Sequence, residues 1–154
     1  PVKCFRAMFM NKPAGKGTVL PWHQDRWKHL DRDPLVTVWT ALDPATVENG
    51  CVQILPGSHK TLVNPDHPSG FLSEEQASAL DESKAVDVTL EPGEVALLHN
   101  WTLHRSGINK SDVARRAFSA CYMDGKTKDI HGKREWTTIF GDDALTLDQL
   151  KQTV

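Results

Sequence analysis

Apolar and polar residues alternate over short spans along most of the chain, and clusters of turn residues separate those spans. Val2–Met10 places Val, Phe, Phe and Met between polar breaks, and the following Asn11–Gly17 (NKPAGKG) is turn chemistry with one Pro and two Gly. Leu35–Leu42 (LVTVWTAL) is rich in β-branched and aromatic residues and predicts a strand. Cys51–Leu55 predicts a shorter one, entered from Glu48-Asn49-Gly50 and stopped by Pro56-Gly57. Val86–Leu90 and Glu94–Leu98 form a pair of strands around the turn Glu91-Pro92-Gly93, and Arg115–Met123 is the last strong signal. Helical pattern is scarce. Ser73–Asp81 has a Ser cap and acids in its first turn, and Leu145–Gln152 predicts a second short helix. Many short strands without intervening helices point to an all-β sandwich or barrel rather than a doubly wound α/β sheet.

Size and charge narrow this further. With 154 residues, the chain is expected to form one domain over 1–154. A net charge of −2 argues against a nucleic-acid partner, and no apolar run is long enough for a membrane span. Cys4, Cys51 and Cys121 lie far apart and form no CxxC pair, which fits free thiols in a cytoplasmic protein better than a disulfide framework. The sequence opens at Pro1 and runs at once into a strand, as a segment of a longer protein would, so an N-terminal part of the pocket is expected to be missing.

Trp22-His23-Gln24-Asp25 is the sharpest local signal for chemistry. In extended backbone, residues i and i+2 share a face, so the imidazole of His23 and the carboxylate of Asp25 can converge. A distant His would complete the two-His-one-carboxylate triad of non-haem iron(II) oxygenases. Spacing alone leaves both His99 and His104 open for that role. It also leaves open the plainer reading of a surface His beside a turn Asp.

Further along, His104 is followed by Ser106-Gly107-Ile108-Asn109 and then by Arg115-Arg116. A strand carrying His104, a turn and a returning strand carrying Arg115 would bring both to one barrel mouth. A guanidinium there can grip a carboxylate in two-pronged fashion. If Arg115 points inward, so do the small residues Ala117, Ser119 and Cys121, and Arg116 faces solvent.

With these residues in view, the chain resembles the phytanoyl-CoA dioxygenase family of iron(II)/2-oxoglutarate oxygenases. The resemblance rests on NKPAGKG, WHQD, VTVWTALDPATVENGCVQILPGSHK and EPGEVALLHNWTLHRSGINKSDVARRAFSACY, which follow in the family's order from about Asn11 to Tyr122. It implies a double-stranded β-helix, a jelly-roll or cupin-like barrel with a few short helices. It also implies iron(II) on His23, Asp25 and His104, with 2-oxoglutarate as cosubstrate and O₂ as oxidant. Arg115 matches the Arg that binds the distal carboxylate of 2-oxoglutarate. Ser106 and Trp39 match residues lining the cosubstrate site, and Gln24 is placed beside the metal. The expected reaction is hydroxylation of an aliphatic C–H of a small organic molecule, with release of succinate and CO₂. Retention of Asp25 favours hydroxylation over halogenation, since related halogenases put a small residue there.

The family's N-terminal helical region has no counterpart in this chain, and residues 124–143 (DGKTKDIHGKREWTTIFGDD) match nothing assignable. The C-terminal Gln152-Thr153-Val154 is no peroxisomal tripeptide, so a cytoplasmic enzyme with another substrate is expected. A non-catalytic or 2-oxoglutarate-independent metal-binding jelly-roll module is the alternative. Oligomeric state is not legible.

Of the remaining conspicuous residues, Pro56–His59 and Glu48–Gly50 read as turns. Met8, Met10, Trp22 and Trp27 read first as packing, and His29, His67 and His131 read as solvated.

Overall fold

The computed structural model describes residues 1–151. Nine strands run in chain order as β1 (Val2–Lys12), β2 (Leu20–His23), β3 (Val36–Ala41), β4 (Val52–Ile54), β5 (Val86–Val88), β6 (Val95–His99), β7 (His104–Ser106), β8 (Arg115–Asp124) and β9 (Thr138–Phe140). Two short helices accompany them, α1 (Glu74–Ser78) and α2 (Leu147–Lys151). The end of the second expected helix at Gln152 lies outside the described residues. Ser73 caps α1 in a full capping box with Gln76, satisfying two of its free N–H groups.

The strands form two antiparallel sheets. One has the order β6-β3-β8-β1-β9 and the other β2-β7-β4-β5. Together they make the double-stranded β-helix expected of the sequence, a jelly roll whose sheets enclose a cavity. The cavity is lined from the larger sheet by Met8, Met10, Trp39 and Ser119 and from the smaller by Leu20 and Val52. Trp39, which lines this cavity, also packs into a core cluster with Ala41, Ala45, Cys51 and Ala117. On the other side of the smaller sheet, Trp22, Leu55 and Leu103 pack under Leu72, Leu80 and Ala85 from the segment that carries α1.

Strand parity controls what faces the cavity. On β3, Thr37, Trp39 and Ala41 are buried while Val36 is exposed. On β8, Arg115, Ala117, Ser119 and Cys121 are buried and Arg116 faces outward, where it grips Asp43 at 2.7 and 2.8 Å. The long pairing of β1 with β8 contains one bulge: Cys4 faces Tyr122, yet Arg6 faces Cys121, so Phe5 is the extra residue. Beyond that bulge Arg6, Met8, Met10 and Lys12 all point inward, whereas Phe9 is 63% exposed. All three cysteines are free. No helix among the described residues is long and apolar enough to cross a membrane.

Candidate metal centre and cosubstrate pocket

His23 ends β2 and His104 begins β7, and the two residues are paired across that antiparallel ladder. Their rings lie 4.0 Å apart. Each imidazole donates its Nδ1–H to the carbonyl two residues earlier in the chain, His23 to Pro21 and His104 to Thr102, both at 2.8 Å. These bonds fix the tautomer and leave both Nε2 lone pairs directed toward Asp25. Nε2 of His23 is 3.8 Å from Asp25 Oδ1, and Nε2 of His104 is 4.0 Å from Oδ2. Burial pushes His23 down to about pH 4, with His104 acting in the same direction, so His23 is neutral at ordinary pH. The approach of His23 to Asp25 is therefore no ion pair, and at these distances neither imidazole hydrogen-bonds the carboxylate.

One ligand atom from each of the three residues falls within 4.8 Å of the other two. Three acceptors that converge without bonding one another suit a cation between them. Ligand bonds of about 2.1 Å set at right angles need donor atoms about 3 Å apart, a contraction of about 1 Å at each Asp25 contact. His99 lines the same cavity but is not part of the triad. Its Nδ1 accepts from the Trp101 amide at 3.1 Å and its ring packs on His59 at 5.2 Å.

The support beneath this centre went unread in the sequence. Asn100 is 1% exposed; its carbonyl accepts from the Asp25 amide at 2.7 Å, and its side chain is tied to Pro34, Thr37 and Cys121. Phe71 stacks on His23 at 4.8 Å. Gly70 lets that segment come close: its φ is +71°, and a Cβ there would lie 1.9 Å from the Gln24 carbonyl. His67 is not simply solvated, since its Nδ1 accepts from the amides of Ser69 and Phe71.

Gln24 needs a correction. Its side chain is fully buried and points away from the cavity. Its amide nitrogen bonds the carbonyls of Thr61 (2.8 Å) and Trp101 (2.6 Å), and its oxygen accepts from Val63 at 2.8 Å. An alternating strand sends neighbours to opposite sides, so a residue between His23 and Asp25 is turned from the point where they meet. Gln24 anchors the loop after β4 and contacts no cosubstrate space.

About two residues along β7 from His104, Ser106 faces the cavity on the same side, roughly 7 Å away by strand rise. Its hydroxyl makes no hydrogen bond among the described residues. Deeper in, Arg115 is 2% exposed. It lies over the Trp39 ring at 5.3 Å, donates to the Gly50 carbonyl at 3.0 Å and leaves its Nε buried without a partner. No carboxylate pairs with it among the described residues. Lys12, opposite it across β1 and β8, donates to the carbonyls of Thr18 and Gly107. Burial, then the neighbouring Arg115, holds Lys12 down at about pH 8. A buried cation is costly unless paired, and two together without an acid mark a place for an anion. Lys12 is masked in the sequence because it falls at the start of the turn-like segment NKPAGKG. The period-2 series Met8, Met10, Lys12 was the signal that could have found it.

A triad shaped for a divalent ion, an unbonded hydroxyl about 7 Å along and a buried cation pair beyond it reproduce, in order, the needs of a five-carbon dicarboxylate chelated at one end. Comparison with known proteins agrees. The family model "Phytanoyl-CoA dioxygenase (PhyH)" matches residues 2–117.

The chain belongs to the phytanoyl-CoA dioxygenase family.

Human peroxisomal phytanoyl-CoA dioxygenase is 34% identical over 129 residues, which are 77% of this chain and 38% of that protein. Among solved structures, the non-haem monooxygenase ThoJ is similar with a TM-score of 0.74 and 29% identity, over 92% of this chain and 54% of ThoJ. EctD from S. alaskensis, solved with 2-oxoglutarate and 5-hydroxyectoine, gives a TM-score of 0.69 and 25% identity, over 80% of this chain and 45% of its own. The chain thus spans less than half the length of the curated phytanoyl-CoA dioxygenase relatives it matches. The family is one of iron(II)/2-oxoglutarate oxygenases, and the donor set and buried cations described above fit both groups.

Proposed function

We propose that this chain is the metal- and cosubstrate-binding core of an iron(II)/2-oxoglutarate dioxygenase that hydroxylates an aliphatic C–H bond of a small organic molecule. The observation that carries the reading is the convergence of His23, Asp25 and His104 in a cavity that Arg115 also lines, with no carboxylate to pair it and with Lys12 behind it. In this reading His23, Asp25 and His104 hold iron(II) by one face. Arg115 and Lys12 take the distal carboxylate of 2-oxoglutarate, Ser106 donates to it, and Trp39 fixes the Arg115 plane.

When bound, iron and 2-oxoglutarate supply the activation of O₂: one oxygen atom goes to the substrate, the other to succinate, and CO₂ leaves. The protein's own part is orientation and exclusion. The Nδ1–carbonyl bonds keep both imidazoles aimed at the metal position. Apolar walls from Met8, Met10, Leu98 and Val52 keep bulk water from the reacting face. The fixed carboxylate of Asp25 leaves no vacant protein ligand position for halide, which favours hydroxylation.

The cavity of about 370 Å³ is at the small end for ligand sites and must also hold the cosubstrate, which supports a small substrate. A cytoplasmic setting, in which Cys4, Cys51 and Cys121 stay reduced, accompanies this proposal.

The test is succinate formation from 2-oxoglutarate with iron(II), ascorbate and air, against an Asp25→Ala control. Succinate above that control is expected. If the protein neither forms succinate nor binds 2-oxoglutarate when loaded with nickel(II), the reading fails and a 2-oxoglutarate-independent module takes its place.

A further inference from the structure

Arg6 is the cavity residue left without a task. The bulge at Phe5 puts it on the inward face of β1, beside Asp25. Its nearest acid contact is Asp25 Oδ2 at 3.7 Å, too long for a hydrogen bond. Its Nε is buried without a partner, and the guanidinium makes no hydrogen bond among the described residues. It is nevertheless held in place. Its planar head lies over the Trp27 ring at 5.1 Å, and Trp27 is packed on Phe5 at 4.5 Å.

Charge deepens the mismatch. With a divalent ion in the triad, the Asp25 carboxylate is committed to that ion and offers Arg6 little. The guanidinium then faces the cavity with its forked donors free, next to the reacting position. The far cation pair, Arg115 and Lys12, belongs to the other end of β1, six residues on from Arg6.

Resting on the reading above, we propose that Arg6, braced by Trp27, is the specificity-determining residue that grips a carboxylate on the substrate. The oxidised carbon would then lie within a few bonds of that carboxylate, and the preferred substrates are small organic acids rather than their neutral analogues. A guanidinium suits this role because it binds a carboxylate through two parallel N–H···O bonds.

The experiment uses the nickel(II)-loaded protein saturated with 2-oxoglutarate, which binds without turnover. Calorimetry or ligand-observed NMR is run with a panel of short straight-chain, branched and aromatic monocarboxylates, each paired with its carboxamide. At least one acid is expected to bind tenfold or more tightly than its amide. Arg6→Gln should abolish that preference and Arg6→Lys should keep part of it, while the affinities for nickel(II) and 2-oxoglutarate stay within twofold of wild type.

No acid in the panel outbinding its amide on the wild-type protein overturns the proposal, and this comparison needs no variant to fold. A tenfold loss of nickel(II) affinity in Arg6→Gln would make Arg6 a positioning residue for Asp25. A tenfold loss of 2-oxoglutarate affinity would assign it to the cosubstrate; either result overturns the proposal. Failure of the wild-type protein to bind nickel(II) or 2-oxoglutarate at all is a different result, and rejects the oxygenase reading itself.

Discussion

Replacing Arg115 by Met separates a cation kept for a ligand from one kept for the fold. In the ligand-free protein the guanidinium is 2% exposed and bonds one carbonyl, that of Gly50, with Nε unpartnered and Lys12 as a like-charged neighbour. Removing it forfeits one charge-assisted hydrogen bond, about 1.5–3 kcal/mol. It also relieves a buried ion whose desolvation costs several kcal/mol, together with the repulsion from Lys12. The two changes oppose each other, so stability should move by no more than about 2 kcal/mol in either direction, or roughly 4–8 °C in Tm for a chain of this length.

Cosubstrate binding has no such compensation. Taking away one partner of a desolvated charge pair costs about 2–5 kcal/mol, and retention of Lys12 places Arg115→Met at the lower end. Two to three kcal/mol corresponds to roughly a 30- to 150-fold weaker Kd for 2-oxoglutarate. Calorimetry on the nickel(II)-loaded protein reads the Kd, and thermal unfolding of the metal-free protein reads the Tm. A Kd within threefold of wild type, or a Tm lowered by well over 10 °C, would show that Arg115 serves the fold and would refute the reasoning.

Other outcomes can be checked more briefly. Asp25→Ala should weaken nickel(II) binding by at least about 100-fold by calorimetry, since it deletes the sole carboxylate of the triad. The metal-free protein should lose stability on acidification. The unfolded chain protonates His23 near pH 6.5 but the folded one only near 4, so unfolding takes up a proton between those values. Stability there falls as pH drops, by up to about 3 kcal/mol, which denaturant titrations at pH 7 and pH 4 would measure. Lys12, titrating near 8 before the anion arrives, should be driven back to its charged form by 2-oxoglutarate; at pH 9 binding should therefore be accompanied by proton uptake, read from calorimetry in two buffers of different ionisation enthalpy. Gly50→Ala should lower both Tm and 2-oxoglutarate affinity, because φ is +75° there and the new Cβ would sit 2.6 Å from the Gly107 carbonyl, displacing the backbone that orients Arg115; the left-handed backbone alone costs about 1–2 kcal/mol.

What the sequence made legible follows from how strongly each segment is constrained on one face. Strands β3 and β8 bury alternate residues over six and ten positions, with Ala120 of β8 buried as well, and both are readable to within a residue or two. The same parity put Arg115 inward and Arg116 outward. Strand β2 carries the metal segment but spans four residues, too few for alternation to show, and β9 has three. Gln24 was misread because membership in a motif was given more weight than strand parity. Arg6 and Lys12 escaped for the opposite reason. Long charged side chains read as solvated by default, and only extending the Met8–Met10 alternation by two residues each way would have turned both inward. Asn100 was illegible in principle, since its partners Pro34, Thr37, Cys121 and the Asp25 amide come from four separate stretches.

The two carbonyl bonds that hold the imidazoles also bear on which ion the protein carries. Pro21 and Thr102 fix the nitrogen donors before any ion arrives, so the cage is ready-made and has little means of rejecting an ion of similar size. For such donors intrinsic affinity rises from manganese and iron through cobalt and nickel to copper. Purification on immobilised nickel, or from zinc-rich medium, should therefore yield protein filled with an inert ion, and its occupancy should be measured before silence in an assay is taken to mean a missing substrate.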